Sequence, residues 1–251
     1  MTEPPEVVER FAAALAEWLA SFTVPAELAA EMADACADGP PWVAAIAGMS
    51  VRRAGWPDQE ALAWGISVGA LAGAIEAARA SLVGEAGAEA TAAAQSSARA
   101  AAHATPRTAD GPARALLAAD GLVAAAHEAL SGLAPVRSRA ALDALAGAFG
   151  NGGPWRDLPS GPACPAWTAL VPCALAPAAA ESPTGPWADY GLAWRRAFGR
   201  GAENPAEAMG GPSDHTDRDP LWHHQAADPT TRRLLRAAAG KARFPTRAGT
   251  T

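Results

Sequence analysis

The sequence predicts an almost entirely α-helical protein. Half of the residues are apolar, but much of that fraction is alanine and only 6% of the chain is aromatic, which suits close-packed helices better than a sheet of β-branched strands. Apolar residues also recur at helical spacing along most of the chain. With 251 residues, the chain is long enough for one large domain with a sizeable core.

The first half of the chain contains four predicted helices. An amphipathic first helix opens with proline and places Val8, Phe11 and Leu15 on one face. The longest segment has few polar residues on any face, as expected of a helix surrounded by other helices. A helical continuation and then a loop should follow it, over 85–109. The four predicted ranges are 5–21, 25–38, 42–53 and 58–84.

The second half contains further helices and one irregular segment. Gly-Asn-Gly-Gly-Pro ends one helix after Phe149. Residues 164–180 are apolar but carry Pro165, Pro172 and Pro177, so a regular helix there should be kinked or broken. The other predicted helices cover 111–132, 137–149, 185–201 and 230–242.

Charge and cysteine content narrow the class of function. The formal net charge of −6 and pI near 5.4 lack the basic footprint of nucleic-acid binding. The three cysteines show no metal-site spacing and their odd number argues against a disulfide framework, so we expect a cytoplasmic protein. The acidic start is unlike a signal peptide, and Glu76 and Arg79 interrupt the longest apolar stretch, so we expect no membrane span.

We predict a helical domain over 1–210, followed by a Pro/His/Asp-rich segment and a short basic helix over 211–251. Asp and His residues between 214 and 224 could gather around a metal, but their Pro/Gly surroundings favour a solvated loop. The basic stretch from 232 to 247 could meet a phosphate or an acidic partner, although a solvated helix face is the ordinary explanation.

Four segments, in order, resemble motifs of the trans-isoprenyl diphosphate (polyprenyl) synthase family. Residues 115–130, ALLAADGLVAAAHEAL, resemble its "AILAGDALLALAFELL" helix, and GGPWRDL at 152–158 is similar to "GQxxDL", retaining Asp157. WADYGLAWRRAFGRG at 187–201 resembles "YGxxLGLAFQIxDDxxD", with Trp194 for phenylalanine and Arg195 for glutamine. IEAARASLVGEAGAE at 75–89 resembles "ELxHxxSLIHDDxxD".

The resemblance implies an isoprenoid-synthase-like helical bundle in which the catalytic groups are mostly lost. Glu85 and Glu89 would occupy two aspartate positions of the first cluster and form a vestigial metal site, whereas the second cluster has no carboxylate left. The basic "GGKRLRP" segment should fall at 38–45, where no basic residue remains, and its "KT" pair falls at Trp167-Thr168.

The resemblance therefore implies no catalytic residue and a vestigial substrate site at Asp157, Trp167, Trp194 and Arg195. The ordinary alternatives are solvated carboxylates for Glu85 and Glu89, a structural hydrogen-bond partner for Asp157, and aromatic core packing for the tryptophans. No cofactor is expected unless the protein is active, in which case Mg²⁺ would be needed.

Two functions follow from the resemblance, and a third remains open. The first is a non-catalytic or regulatory subunit that forms a homo- or hetero-oligomer with an active prenyl diphosphate synthase. The second is an active, divergent prenyltransferase or terpene-cyclase-like enzyme that uses an allylic diphosphate. The third is a helical protein that binds an isoprenoid ligand without any partner.

Overall fold

The computed structural model describes residues 4–98, 110–149, 165–198 and 229–243, with the side chains of 82–98, 110, 148–149, 196–197, 229 and 243 excluded. These residues form helices and connecting turns, with no strand among them, so the predicted all-α class is confirmed. The isoprenoid-synthase-like arrangement of the helices stays a prediction.

The helices lie close to their predicted positions, and α4 continues past residue 84 as expected. They are α1 Pro4–Ala20, α2 Ala26–Ala35, α3 Pro40–Arg53, α4 Asp58–Ala98, α5 Asp110–Ser131, α6 Pro135–Phe149, a 3₁₀ turn Ala166–Leu170, α7 Val171–Glu181, α8 Trp187–Phe198 and α9 Pro229–Arg243.

Helix α4 is the centre of the bundle, with α3 and α5 as its main neighbours. Its segment Asp58–Ser81 is long and apolar enough to cross a membrane, yet 78% of its most apolar window is buried inside the protein. Burial against neighbouring helices explains why this segment has no polar face, because each side meets another apolar helix.

Helices α3, α4 and α7 meet around the Ala174 carbonyl. It accepts a hydrogen bond from Trp64 Nε1–H at 3.2 Å, and the Ser50 hydroxyl, whose proton is donated to Ala47 O at 2.9 Å, lies 3.4 Å from it. Pro172 lies in the first turn of α7, where its missing N–H costs nothing, and Pro177 lies inside the helix. The proline-rich segment therefore forms a 3₁₀ turn and a helix that continues over Pro177.

The end of α3 shows why the turn before α4 is so short. Gly55 has φ 99°, a conformation that favours glycine, and its N–H donates to Arg52 O while the N–H of Trp56 donates to Val51 O. This pair of bonds is the Schellman pattern of a helix C-terminus, which satisfies two otherwise unpaired carbonyls.

A mostly buried ion pair fixes α6 against α4. Glu60 accepts a 2.6 Å hydrogen bond from Arg137 and another from the Ala134 N–H, while the Arg137 guanidinium lies 5.7 Å from the Trp56 ring centre. Trp56 Nε1–H donates in turn to Glu181 at the end of α7. The start of α4 is thus tied to both α6 and α7.

The C-terminal helix α9 packs against α3 and α1. It buries Leu234, Leu235 and Ala238 and leaves Arg233 and Arg236 exposed, so the predicted basic helix is amphipathic. Residues 214–224, the acidic and histidine-rich segment, lie outside the described residues. Docking of α9 brings Lys241 to the N-terminal end of α3, where a cavity opens.

Candidate functional site

A cavity of about 360 Å³ lies where α2, α3, α4, α5 and the 3₁₀ turn meet. The end of α2 and the start of α3 form one side, α4 and α5 form the other, and Trp167 lies at its edge. Lys241 reaches the rim from α9. The lining residues are Glu31, Asp34, Ala35, Asp38, Gly39, Pro40, Glu76, Ala77, Arg79, Ala80, Ala115, Ala118, Pro165, Trp167 and Lys241.

The charged lining of this cavity is mainly acidic. Four carboxylates line the cavity, among them Asp38 and Glu76. Two cations, Arg79 and Lys241, line it as well. Lys241 Nζ lies 2.6 Å from Asp38 Oδ1, so the positive charge that α9 supplies is already engaged. The described lining therefore disfavours an anionic ligand.

Glu76 is a cavity carboxylate that accepts a hydrogen bond from the backbone of the 3₁₀ turn. It lies on α4, and its Oε1 accepts a 2.9 Å hydrogen bond from the backbone N–H of Trp167. Burial raises the pKa of the Glu76 carboxyl above its ordinary value, and this effect outweighs the hydrogen bonds from the Trp167 and Ala166 N–H groups and the attraction of Arg79. Glu76 thus anchors the first N–H groups of the 3₁₀ turn, and with them Trp167.

The predicted aromatic residues meet each other at this turn. Trp167 and Trp194 are both buried, with ring centres 6.5 Å apart, and Trp194 Nε1–H donates to the Thr168 carbonyl at 3.0 Å. Phe198 packs on Trp194 with ring centres 4.6 Å apart. Of this cluster, Trp167 lines the cavity.

Of the remaining predicted site residues, one lies outside the cavity lining and the side chains of the others are not among the described ones. Arg195 is exposed on α8, next in the chain to the buried Trp194. Glu85 and Glu89 lie within helix α4, but their side chains are not among the described ones. Asp157 also lies outside the described residues.

Sequence reasoning missed the carboxylates that line the cavity. Glu76 and Arg79 had one visible signal, since they are the charged residues of the long apolar stretch from Ala61 to Gly84. Glu31 and Asp34 look like ordinary polar positions of an amphipathic helix, and Lys241 is separated from Asp38 by about two hundred residues. Their meeting depends on how α2 and α9 dock.

The described residues do not fit a magnesium ion. Among them, no group of three or more His, Cys, Asp or Glu side chains is placed to hold a metal. Mg²⁺ requires oxygen ligands in near-octahedral geometry. Within the described part of the cavity, Glu76 instead accepts backbone N–H groups and Asp38 pairs with Lys241.

A second, apolar groove of about 510 Å³ lies between α1 and α2. Its lining is mostly alanine with a few larger apolar side chains: Ala12, Leu15, Ala16, Leu19, Ala20, Ala29, Ala30, Met32, Ala33, Cys36, Ala37 and Pro41. Burial raises the pKa of the Cys36 thiol, and that of Cys173, to about 12, so both stay protonated near neutral pH and are poor nucleophiles.

Comparisons of this chain with protein-family models, with curated proteins and with solved structures find no match.

The role of Glu76 can be tested through the pH dependence of stability. A raised folded-state pKa means that the folded protein binds this proton more tightly, so the stabilisation present at low pH is lost as pH rises through the folded value. Glu76→Gln mimics the protonated carboxyl, and we expect it to remove that pH dependence and to be at least as stable as wild type at pH 7.

Glu76→Ala leaves the N–H groups of the 3₁₀ turn without this acceptor, and we expect a loss of about 1–3 kcal/mol in the free energy of unfolding. Urea denaturation between pH 4 and 8 measures all three proteins. Asp34→Asn, an exposed carboxylate of the same cavity, is the matched control and should change stability by less than about 0.5 kcal/mol. Equal pH profiles for wild type and Glu76→Gln would refute this assignment.

Proposed function

We propose that this protein is a non-catalytic, prenyl-synthase-like subunit that keeps a cavity where an active synthase would bind diphosphate. One observation supports the proposal most. Three segments that the resemblance assigns to diphosphate and metal binding are 38–45, 75–89 and Trp167-Thr168, and each contributes residues to the same cavity. They are far apart in the chain, so their convergence is not a consequence of local sequence.

The charges in this cavity favour the non-catalytic role. Diphosphate departure needs fixed cationic donors, and removal of one such contact typically lowers a rate by two to three powers of ten, or about 2.7–4 kcal/mol. Here Trp167 occupies the position of the family's lysine, and Lys241 forms an ion pair with Asp38. Arg195, the arginine that an active enzyme could have recruited, is exposed on α8.

The apolar groove between α1 and α2 favours one second candidate, a protein that binds an isoprenoid. Its volume of about 510 Å³ lies within the usual range for sites that bind small molecules, and its lining is almost wholly apolar. An isoprenoid hydrocarbon matches that chemistry and needs no charged partner.

An activity assay tests the subunit role. The purified protein is incubated with an allylic diphosphate, isopentenyl diphosphate and magnesium, alone and beside an active prenyl diphosphate synthase from the same cell, and products are detected by mass spectrometry. We expect no product from the protein alone and a changed rate or product length in the mixture, because a partner that binds one state of the synthase biases it.

Product from the isolated protein would overturn the non-catalytic role. An unchanged synthase would overturn the subunit role, and binding of a free isoprenoid alcohol would then favour the second candidate. Calorimetry with inorganic pyrophosphate is a further control, and we expect no binding to the wild type because four carboxylates face two cations around the cavity.

A further inference from the structure

A third cavity, of about 260 Å³, lies where α1, the end of α3 and the starts of α4 and α9 meet, and we call it the arginine groove. It is separate from the acidic cavity. Pro40 in the first turn of α3 lines the acidic cavity, whereas Arg52 and Arg53 in the last turn line the arginine groove. The 14 residues of α3 therefore hold the two sites about 20 Å apart.

The floor of the arginine groove is apolar. Side chains of α1, α3 and α4 form it, namely Val7, Phe11, Met49, Ala61 and Leu62. Apolar walls with a few polar groups are typical of sites that bind small organic molecules, because the apolar body of the ligand supplies affinity and the polar groups fix its orientation. This floor therefore suits the hydrocarbon part of a ligand.

The charged residues of the arginine groove carry an excess of one positive charge. Arg10 comes from α1, Arg52 and Arg53 come from α3, and the two carboxylates of the lining are Glu6 and Asp58. The whole chain has a formal net charge of −6, so the local excess is opposite in sign to the protein as a whole. An excess of one charge matches a monoanion, whereas a polyanion would place unbalanced negative charge beside the two carboxylates.

Arg52 is already held in a fixed orientation at this site. Its Nε lies 2.7 Å from Asp58 Oδ1, and its Nη2 donates a 3.2 Å hydrogen bond to Asp58 Oδ2. A guanidinium has five N–H donors, so the pair with Asp58 leaves the others for a ligand. The planar fork of arginine matches the two oxygens of a carboxylate, which makes an oriented Arg52 a suitable partner for one.

We propose that the arginine groove binds a small monocarboxylic acid with an apolar body. The carboxylate lies between Arg10 and Arg52, and the hydrocarbon part packs on the floor. A monocarboxylate fits better than a phosphate or a diphosphate, because its single charge equals the excess on the lining. The inference goes beyond the proposed function, since it concerns another ligand at another site and needs no synthase.

NMR of the full chain, labelled with ¹³C at the methionine methyl groups, tests the site. Met49 lies in the floor of the arginine groove, and Met32 lines the apolar groove between α1 and α2. We expect 3-phenylpropionate to shift the Met49 signal and not the Met32 signal. The alcohol 3-phenylpropanol has the same body without the charge, and acetate has the charge without the body, so each should bind at least about tenfold more weakly.

Four variants test the donors. Arg10→Gln and Arg52→Gln each remove one charged donor and should weaken binding of 3-phenylpropionate at least about fivefold. Arg52→Lys keeps the charge without the planar fork, so its affinity should fall between those of Arg52→Gln and the wild type. Arg139→Gln, which changes an exposed arginine of α6, is the matched control and should bind as the wild type does. Circular dichroism checks that each variant is folded.

A Met49 signal that 3-phenylpropionate does not move, or that moves together with the Met32 signal, would overturn the proposal. Equal affinity for 3-phenylpropanol would also overturn it, because the groove would then not select an anion. Wild-type affinity in both glutamine variants would overturn it by removing Arg10 and Arg52 as donors. None of these measurements uses a synthase, a diphosphate or magnesium, so a failure here and a failure of the subunit role are separate results.

Discussion

Replacing Trp64 with alanine should remove about 3–5 kcal/mol from the free energy of unfolding. The side chain is fully buried at the junction of α3, α4 and α7, so its removal leaves a cavity that three packed helices cannot close together. The Ala174 carbonyl also loses the indole N–H that donates to it at 3.2 Å, and the Ser50 hydroxyl nearby donates its proton to Ala47 O instead. Urea denaturation followed by circular dichroism measures the change, provided that the m-value is unaltered.

Two further variants separate the volume of Trp64 from its hydrogen bond. Trp64→Phe retains most of the ring and loses the N–H donor, and we expect a smaller cost of roughly 1–3 kcal/mol. Trp42→Ala removes an equally large side chain that is only partly buried, and it should cost less than Trp64→Ala. A cost below about 1 kcal/mol for Trp64→Ala would contradict the central position assigned to this residue.

Local sequence signals were sufficient to predict the helices of this fold. In α5, apolar residues repeat at helical spacing between Asp110 and Ser131, and both observed ends lie one residue from the predicted range 111–132. Helix α7 shows the limit of such reasoning. Pro177 removes one helical hydrogen bond, but Val171, Cys173 and Leu175 are buried around it, and the helix continues over the proline.

The candidate site was predicted only in part, because it is assembled from distant segments. Trp167 was selected through its place in a family motif, and it does line the cavity. The acidic character of that cavity depends on Asp38, Glu76 and the docking of Lys241 from α9. No periodicity or motif encodes such contacts, since they follow from how the helices pack. The apolar groove likewise arises from the spacing between α1 and α2.

The second large loss of stability is expected from substitutions at the contact between Gly39, just before α3, and Trp167. Gly39 has φ −86° and ψ −44°, which any residue can adopt, so its backbone does not require glycine. A Cβ atom added there would overlap the indole ring of Trp167, which packs directly on the Gly39 backbone. Gly39→Ala should therefore displace a buried ring and cost about 1–3 kcal/mol, while Trp167→Ala alone should cost about 3–5 kcal/mol.

The double variant Gly39→Ala/Trp167→Ala distinguishes this contact from a general backbone effect. Once the indole is gone, the added methyl group has space, so Gly39→Ala should be nearly neutral in the Trp167→Ala background. The sum of the two single-variant losses in the free energy of unfolding should therefore exceed the loss in the double variant by about 0.5–3 kcal/mol, measured by urea denaturation. Additive costs would show that the ring does not pack over Gly39. A large coupling would establish that the Trp167 ring packs on the Gly39 backbone at this side of the cavity.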